Sequence, residues 1–228
     1  MAPKAVGEGV WVVTAGSFPS NSYICAADVP GGAVLIDTGL DPAPIDAALQ
    51  SLALAPAHIF CTHGHFDHAG SAAFFQDKYG APVYLHEADR KTAGIGNFLL
   101  TAMKLSDRIV LPDFTLVEDD FSMALGEHTL RYAPVPGHTP GSCAIEYRGN
   151  LFTGDTLYAR GLGLSKLPGE RPELLRRSIA SLWERLDGVV VHPGHGPSAP
   201  GSDIKRGNAA LLAFMGLAGV PEKRAARG

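Results

Sequence analysis

The sequence predicts an α/β protein of one domain, and three observations lead to this prediction. The 228 residues are 46% hydrophobic and 18% charged, which is typical of a packed globular protein. Their number suits a single hydrophobic core. Short apolar segments of strand length also alternate with segments whose apolar residues recur at helical spacing. We therefore expect one domain over residues 1–228.

The first elements are three short strands followed by a helix. Strands are predicted over 9–15, 22–27 and 33–37, because each is an apolar run bounded by glycine or proline turns. After them, apolar residues at helical spacing predict a helix over 42–52, with Pro44 in its first turn, where proline is tolerated. This part is a β-meander that leads into βα alternation.

The next part continues the alternation. A buried strand is predicted over 58–61 and a helix over 69–79, which Gly80 ends as a residue that tolerates the left-handed conformation. Another short strand is expected over 83–85. Residues 87–111 have an irregular helical pattern, and we interpret them as a candidate cap over the substrate.

Strands return in the second half, separated by Pro-Gly and Gly-Asn turns. The predicted strands are 129–135, 142–147, 150–153 and 189–191, and the predicted helices are 172–186 and 203–217. Residues 218–228 are rich in Ala, Arg and Gly, so we expect a frayed tail.

Charge and hydropathy argue against several classes of partner. The formal net charge is -4, and basic residues cluster only near the end, so nucleic acid is not an expected partner. The apolar run over 211–220 is too short to cross a bilayer, which predicts no membrane span. The N-terminus shows no secretory signal, which makes the cytoplasm the default location. The scattered Cys25, Cys61 and Cys143 match neither a disulfide framework nor a zinc finger.

Seven side chains of metal-binding type lie in loops that follow predicted strands: His63, His65, Asp67, His68, His138, Asp155 and His195. His63 and His65 are two residues apart at a strand end, so both rings can point to the same face. Asp67 and His68 follow as the helix begins and would face a second cation. Imidazole nitrogens and carboxylate oxygens are zinc ligands, and five histidines with two aspartates suit two ions.

Other histidines, and one aspartate, have more than one interpretation. A lone HxH pair is more often ordinary than metal-binding, but here the further candidates recur in glycine-containing turns after strands. The remaining histidines lack this setting and are interpreted as ordinary, although His192 could support a ligand: His58, His86, His128 and His192. Asp37 is either a turn cap or a residue that orients a metal-bound histidine.

Five motifs together resemble the metallo-β-lactamase fold superfamily: LIDTG at 35–39, THGHFDHAG at 62–70, PGHTPGS at 136–142, LFTGDTL at 151–157 and HPGHG at 192–196. Their wording is most similar to the hydroxyacylglutathione hydrolase, or glyoxalase II, branch. The resemblance implies a four-layer αββα sandwich of two mixed β-sheets, with metals at one edge.

The resemblance also implies a ligand set. One metal would be bound by His63, His65 and His138, the other by Asp67, His68 and His195, and Asp155 would bridge both. The sequence departs from the branch at Gly163, which is followed by Leu164-Ser165-Lys166 in place of an Arg-Ser/Thr-Asp sequence. The C-terminal helical domain that contributes glutathione contacts in the branch is also not expected here. Glutathione is therefore not implied as substrate.

The expected function is hydrolysis of an acyl bond in a small molecule: a thioester, an ester or a lactone. Two divalent metals, with zinc favoured over iron or manganese, would lower the pKa of a shared water toward about 7 and supply a bridging hydroxide. Asp67 or Asp155 could pass a proton to the leaving group. Tyr158 could donate a hydrogen bond to the oxyanion, or it could simply pack.

Two other functions stay open at this point. A mononuclear iron persulfide dioxygenase shares the fold and would use two histidines and an aspartate, although its persulfide-binding arginine, expected near Leu164, is absent. A non-catalytic binding module on the same fold is the second alternative. The segments 94–111 and 160–170 would choose the substrate, and the sequence leaves the substrate, the native metal and the oligomeric state open.

Overall fold

The computed structural model describes residues 3–164 and 169–217. In this part of the chain the strands are β1 (Lys4–Gly7), β2 (Val10–Ala15), β3 (Ser20–Ala26), β4 (Gly32–Ile36), β5 (Ala55–Phe60), β6 (Val83–His86), β7 (Phe114–Val117), β8 (Phe121–Leu125), β9 (His128–Pro134), β10 (Cys143–Tyr147), β11 (Asn150–Gly154), β12 (Val190–Pro193) and β13 (Ala199–Pro200). The α-helices are α1 (Pro42–Ser51), α2 (Phe66–Ala69), α3 (Ala72–Tyr79), α4 (Arg90–Gly94), α5 (Gly96–Ala102), α6 (Pro172–Leu182), α7 (Gly201–Gly207) and α8 (Ala209–Phe214), and 3-10 helices span Glu87–Asp89 and Trp183–Gly188.

The strands form two mixed sheets. The first sheet has the order β1-β2-β3-β4-β5-β6-β7, and its strands are parallel from β4 onward. The second has the order β13-β12-β11-β10-β9-β8, in which β11 and β12 are parallel. Strand β9 also runs in the direction of β11, because each is antiparallel to β10.

Side-chain alternation along each strand places the core on both faces of each sheet. In β4, Ala33 and Leu35 pack with the apolar face of α1, whereas Val34 and Ile36 point toward the second sheet. The layer between the sheets is closed from the other side by alternate residues of β10, such as Ile145. Each sheet is therefore buried on two faces.

Helix α6 covers the outer face of the second sheet. Its residues Leu175 and Ile179 are fully buried against Ala144, Leu151 and Val191 of that sheet. Helices α1 and α3 cover the first sheet in the same way. The predicted αββα sandwich is thus confirmed.

The boundaries and some elements differ from the prediction. Four strands were not predicted: β1, β7, β8 and β13. All four are edge strands, two in each sheet, and partial burial at an edge leaves only a weak apolar pattern in the sequence. Residues 218–228, predicted as a frayed tail, lie outside the described residues.

Three predicted helices also needed correction. The helix predicted over 69–79 begins only at Ala72, as α3, and a separate short helix, α2, precedes it over Phe66–Ala69. The two are separate because the His68 carbonyl accepts from the Thr38 N–H and does not continue the helix. The helix predicted over 172–186 becomes 3-10 after Leu182, and the one predicted over 203–217 is broken at Asn208, whose side chain caps α8. The 87–111 segment is helical over 87–102, as predicted, but the rest of the segment, 103–111, contains no helix.

The loops after β4, β5 and β6 and those after β9, β11 and β12 converge at one edge of the sandwich, where the carboxyl ends of these strands lie. This is where open α/β sheets usually bind ligands. Within the described ranges, 3–164 and 169–217, no helix has the length and apolar character needed to cross a bilayer.

Candidate metal centre

The loop after β5 brings two histidines together. The His63 Nε2 atom lies 3.1 Å from the His65 Nδ1 atom, and both residues are buried. The loop after β9 adds His138, whose Nε2 atom lies 3.1 Å from the same His65 nitrogen. Each of the three rings offers one nitrogen, and these nitrogens lie within 4.8 Å of one another. We call His63, His65 and His138 the histidine half of the site.

A second group lies beside the first. The His195 Nε2 atom is 3.2 Å from Asp67 Oδ2, and the His68 Nε2 atom is 3.3 Å from the same oxygen. Asp67 and His68 are carried by α2, and His195 follows β12. We call Asp67, His68 and His195 the mixed half, because it combines a carboxylate with two imidazoles.

Asp155, at the end of β11, lies between the two halves. Its Oδ2 atom is 3.5 Å from the Nε2 atoms of both His138 and His195, and its Oδ1 atom is 3.5 Å from His68 Nε2. The structure thus brings all seven predicted residues to one place. A carboxylate in this position can reach an ion in either half.

Two buried atoms at the centre test whether these residues fit a metal. His68 Nε2 and Asp155 Oδ1 have no hydrogen-bond partner, although buried polar atoms nearly always have one. The other His68 nitrogen, Nδ1, lies 2.8 Å from Asp37, which directs Nε2 into the cluster. Nitrogen and carboxylate donors with unused lone pairs are what zinc and iron require. The residues fit divalent metal ions.

Two rings of the histidine half, those of His63 and His65, are neutral. Burial, with the neighbouring His68, His65 and His138 rings, holds the pKa of His63 well below its usual range. Burial and the neighbouring His138 lower the pKa of His65 to about 4. Neutral rings keep a lone pair for a metal at physiological pH.

Charge dominates the mixed half. Burial would lower the pKa of His68, but Asp67, Asp155 and Asp37 raise it well above its usual range. Burial likewise opposes the rise in the pKa of His195, which the hydrogen bond to Asp67 and the charge of Asp155 produce. Against its own burial, the pKa of Asp67 is lowered by His68 and His195, so this carboxylate is ionised.

Asp37 contacts the mixed half directly. It adopts a positive φ of 54° directly after β4, and it accepts hydrogen bonds from the Thr62 N–H at 2.7 Å and the Thr62 hydroxyl at 2.7 Å. With the His68 contact, it fixes that ring's orientation. Of the two sequence interpretations of Asp37, the geometry agrees with the one in which it orients a histidine.

The turn between β2 and β3 and the first residues of β3 hold the mixed half from the other side, and no sequence pattern indicated these contacts. The Asn21 side chain donates to the Pro193 carbonyl at 3.0 Å and to the Gly196 carbonyl at 2.8 Å. The Pro19 carbonyl lies 2.9 Å from His195 Nδ1. These contacts fix the loop that carries His195.

A cavity of about 340 Å³ opens over the cluster. It is lined by Phe18, Pro19, His65, Phe66, Asp67, Met103, His138, Asp155, Tyr158 and His195. Burial and the nearby Asp155 carboxylate raise the pKa of Tyr158, so its hydroxyl keeps its proton. As a lining residue of the cavity, Tyr158 faces the space where a substrate would lie.

The apolar residues of the cap segment divide between several environments. Met103 lines the cavity, whereas Leu100 is fully buried against Phe66. The side chain of Phe98 is 71% exposed, and Ile95 is also exposed. The cap segment therefore contributes little of its apolar surface to the cavity.

The other histidines have local partners. His192 is buried between Asn150, at 2.9 Å, and Ser198, at 2.8 Å, and burial lowers its pKa to about 4. His58 lies near Tyr84, His86 accepts from the Ala88 N–H, and His128 lies near Asp28. These contacts agree with the interpretation of these residues as ordinary histidines.

Several known proteins are similar to this chain in sequence and in fold. Residues 15–195 match the family model described as the Metallo-beta-lactamase superfamily. A protein named hydroxyacylglutathione hydrolase from Anaeromyxobacter dehalogenans is 40% identical over 186 residues, which are 78% of this chain and 62% of that protein. The chain thus spans less than two thirds of that relative. A probable metallo-hydrolase of Bacillus subtilis, YqgX, is 29% identical over 194 residues, 80% of this chain and 87% of the relative.

A solved structure agrees with both the fold and the sequence match. The crystal structure of TTHA1623 in a di-iron-bound form has a TM-score of 0.76 and 32% identity, and the alignment covers 86% of this chain and 98% of that one. The family match covers well over half of the chain and includes every residue of the cluster. The chain therefore belongs to the metallo-beta-lactamase superfamily.

Proposed function

We propose that this protein is a dinuclear metal-dependent hydrolase that cleaves an acyl bond in a small molecule. The observation that carries the proposal is the arrangement of two three-residue donor sets around Asp155, at the floor of an apolar cavity. A structural zinc ion typically has four protein ligands and no cavity above it, whereas a catalytic ion has three and an open position. Two sets beneath an open space favour catalysis on a bound substrate.

The histidine half would hold one ion and the mixed half the other, with Asp155 between them. We favour zinc, with iron or manganese as alternatives, and the di-iron form of TTHA1623 supports iron as a realistic occupant. When bound, two such ions lower the pKa of a water molecule and polarise a carbonyl group.

The chain's own residues supply the rest of the chemistry. Phe18, Phe66 and Met103 form the apolar wall that would bind the acyl group and exclude water. Tyr158 keeps its proton, so its hydroxyl can donate a hydrogen bond to the oxyanion that develops on the carbonyl. Asp67 or Asp155 would take up the proton that the reaction releases and pass it to the leaving group.

The proposed substrates are thioesters, esters and lactones. The hydroxyacylglutathione hydrolase relative supports a thioester, but the alignment covers 62% of that protein, so we do not propose glutathione itself. The net charge of -4 gives nucleic acid no electrostatic advantage. The cytoplasm remains our proposed compartment, because Cys25, Cys61 and Cys143 are all unpaired, as in reducing compartments.

The first experiment is elemental analysis of the purified protein, followed by hydrolysis assays on acyl-thioester, ester and lactone panels. We expect about two metal ions per chain. Asp155→Ala should lower turnover by about a hundredfold or more, because it removes the one carboxylate that both halves share. His128→Ala is the matched control, since its exposed ring lies beside Asp28 and Tyr147, which are not members of the cluster.

Three other outcomes would contradict the proposal. Unchanged turnover in Asp155→Ala with intact metal content would exclude the shared carboxylate from the mechanism. One iron per chain with oxygen uptake on a persulfide would identify a persulfide dioxygenase. Two ions per chain without hydrolysis of any acyl compound would identify a binding module.

A further inference from the structure

A second buried carboxylate lies behind the histidine half. Asp89 ends the 3-10 helix that follows β6, and its exposed fraction is 0%. Asp89 is not one of the seven predicted site residues, and it belongs to none of the donor sets. Burying a carboxylate costs free energy unless its oxygens are hydrogen-bonded. The contacts of Asp89 therefore need an explanation.

Asp89 joins the two loops that carry the histidine half. Its Oδ2 atom accepts from the Gly64 N–H at 2.7 Å and from the Thr139 hydroxyl at 2.7 Å. Its Oδ1 atom accepts from the Gly141 N–H at 2.8 Å and from the Thr92 hydroxyl at 3.2 Å. Gly64 lies between His63 and His65, and Thr139 directly follows His138, so the bonds are made by neighbours of the ligands.

The number of donors explains why a carboxylate is needed. All four are neutral N–H or O–H groups, and each oxygen of Asp89 accepts two of them. An asparagine has one acceptor oxygen, and its amide hydrogens would face the donors that the second oxygen now accepts. The two oxygens of Asp89 can therefore accept from both loops at once, whereas an asparagine at this position cannot.

Close packing makes the same point. A Cβ on Gly64 would lie 2.7 Å from the Asp89 carbonyl oxygen, and a Cβ on Gly141 would lie 2.7 Å from the Asp89 nitrogen. Neither glycine has a positive φ, so their small size, and not their backbone freedom, is what the contact requires. Both loops are pressed directly against Asp89.

We propose that Asp89 is a positioning residue that assembles the histidine half of the metal centre by joining the loops of His63, His65 and His138. This role of Asp89 rests on the proposed metal centre, but not on any particular substrate. The mixed half is held by other residues, among them Asp37, Asn21 and Pro19. Loss of the Asp89 carboxylate should therefore weaken metal binding in the histidine half selectively. Substitution of a residue that holds metal ligands in place typically weakens metal binding about ten- to hundredfold, and we expect an effect of this order here.

The test is zinc binding by Asp89→Asn, with Asp77→Asn, an exposed aspartate on α3, as the matched control. Competition titration with a chelating dye measures the affinity for zinc, and anomalous diffraction at the zinc edge measures the occupancy of each half. We expect the histidine half of Asp89→Asn to bind zinc about ten- to hundredfold more weakly, while the mixed half and Asp77→Asn keep wild-type affinity. This readout does not depend on enzymatic activity.

Thr139→Val is the second variant, in case Asp89→Asn does not fold. It removes one donor and leaves the carboxylate, so we expect a smaller loss confined to the same half. Wild-type zinc affinity in both variants, or equal weakening of both halves, would overturn the role of Asp89. Zinc binding without acyl hydrolysis in the wild-type protein would overturn the proposed function alone, and a wild-type protein that binds no zinc, iron or manganese would overturn both.

Discussion

The two halves of the candidate metal centre are supported in different ways. In the mixed half, Asp37 contacts a candidate ligand directly, with its Oδ2 atom 2.8 Å from His68 Nδ1. In the histidine half, Asp89 contacts the neighbours of the ligands, through Gly64 and Thr139. Asp37 therefore orients a ring of the mixed half, and Asp89 holds the backbone of the histidine half. The histidine half also has one direct contact of this kind, because Glu170 Oε1 lies 3.3 Å from His138 Nδ1.

The two halves also differ in the charge of their side chains. Burial keeps the rings of His63 and His65 neutral, so that half needs precise placement of uncharged donors. The mixed half contains Asp67, whose charge raises the pKa of His68 and His195. The comparison teaches that a buried site can be organised by packing in one part and by charge in another, within a few ångströms.

The largest effect should come from a methyl group placed inside the mixed half. A Cβ on Gly194 would overlap Asp155 Oδ1 and lie 2.6 Å from the His68 ring. We expect Gly194→Ala to lower turnover by about a hundredfold or more, because the methyl displaces groups that contact the metals and substrate. Steady-state kinetics with parallel metal analysis measures this.

The same change in the histidine half should do less. Gly141→Ala presses on Asp89, one step away from the ligands, so its loss of turnover should be smaller than that of Gly194→Ala. Gly188→Ala is the control, since a Cβ there meets open space. Equal losses at Gly141 and Gly194 would remove the distinction between direct and indirect support.

An intermediate effect is expected from Asp37→Asn. Its amide group would face either the Thr62 donors or the His68 ring, so one of the present hydrogen bonds becomes a repulsive contact. The mixed half should bind zinc about ten- to hundredfold more weakly, with a smaller change in the histidine half. Dye competition gives the two affinities, and the opposite selectivity would reverse the assignment of Asp37.

The smallest effect should come from the cavity wall, which neither half contains. Asn208 donates to the Tyr158 carbonyl at 3.0 Å and to the Gly161 carbonyl at 2.9 Å. Tyr158→Phe removes one neutral hydrogen-bond donor and should lower kcat about tenfold. Asn208→Asp turns the donor into an oxygen that repels both carbonyls, and it should lower kcat by a similar or smaller factor without changing metal content.

The double variant Tyr158→Phe with Asn208→Asp decides whether Asn208 acts through the tyrosine. If it does, the second change adds little to the first. Full additivity, or loss of metal in Asn208→Asp, would show that Asn208 supports something other than the Tyr158 hydroxyl.

Local patterns in the sequence determined much of this picture. The alternation of strands and helices predicted an α/β domain, and the resemblance of five motifs to a known superfamily implied the αββα sandwich. The residue types at the strand ends predicted the seven members of the cluster, which the structure brings together. Helix lengths were less accurate: the breaks at Gly70 and Asn208 depend on hydrogen bonds to distant segments, and apolar periodicity does not show these.

Only the tertiary structure decided what supports the cluster. Asp89 and Thr139 are separated by 50 residues, and Asn21 and Gly196 by 175, so no spacing rule could have paired them. The sequence by itself determines the chemical type of each candidate ligand, because a histidine that follows a predicted strand can be identified directly. The sequence does not determine the hydrogen-bond partners of these groups, because a buried carboxylate acquires its role from the donors that the folded chain places around it.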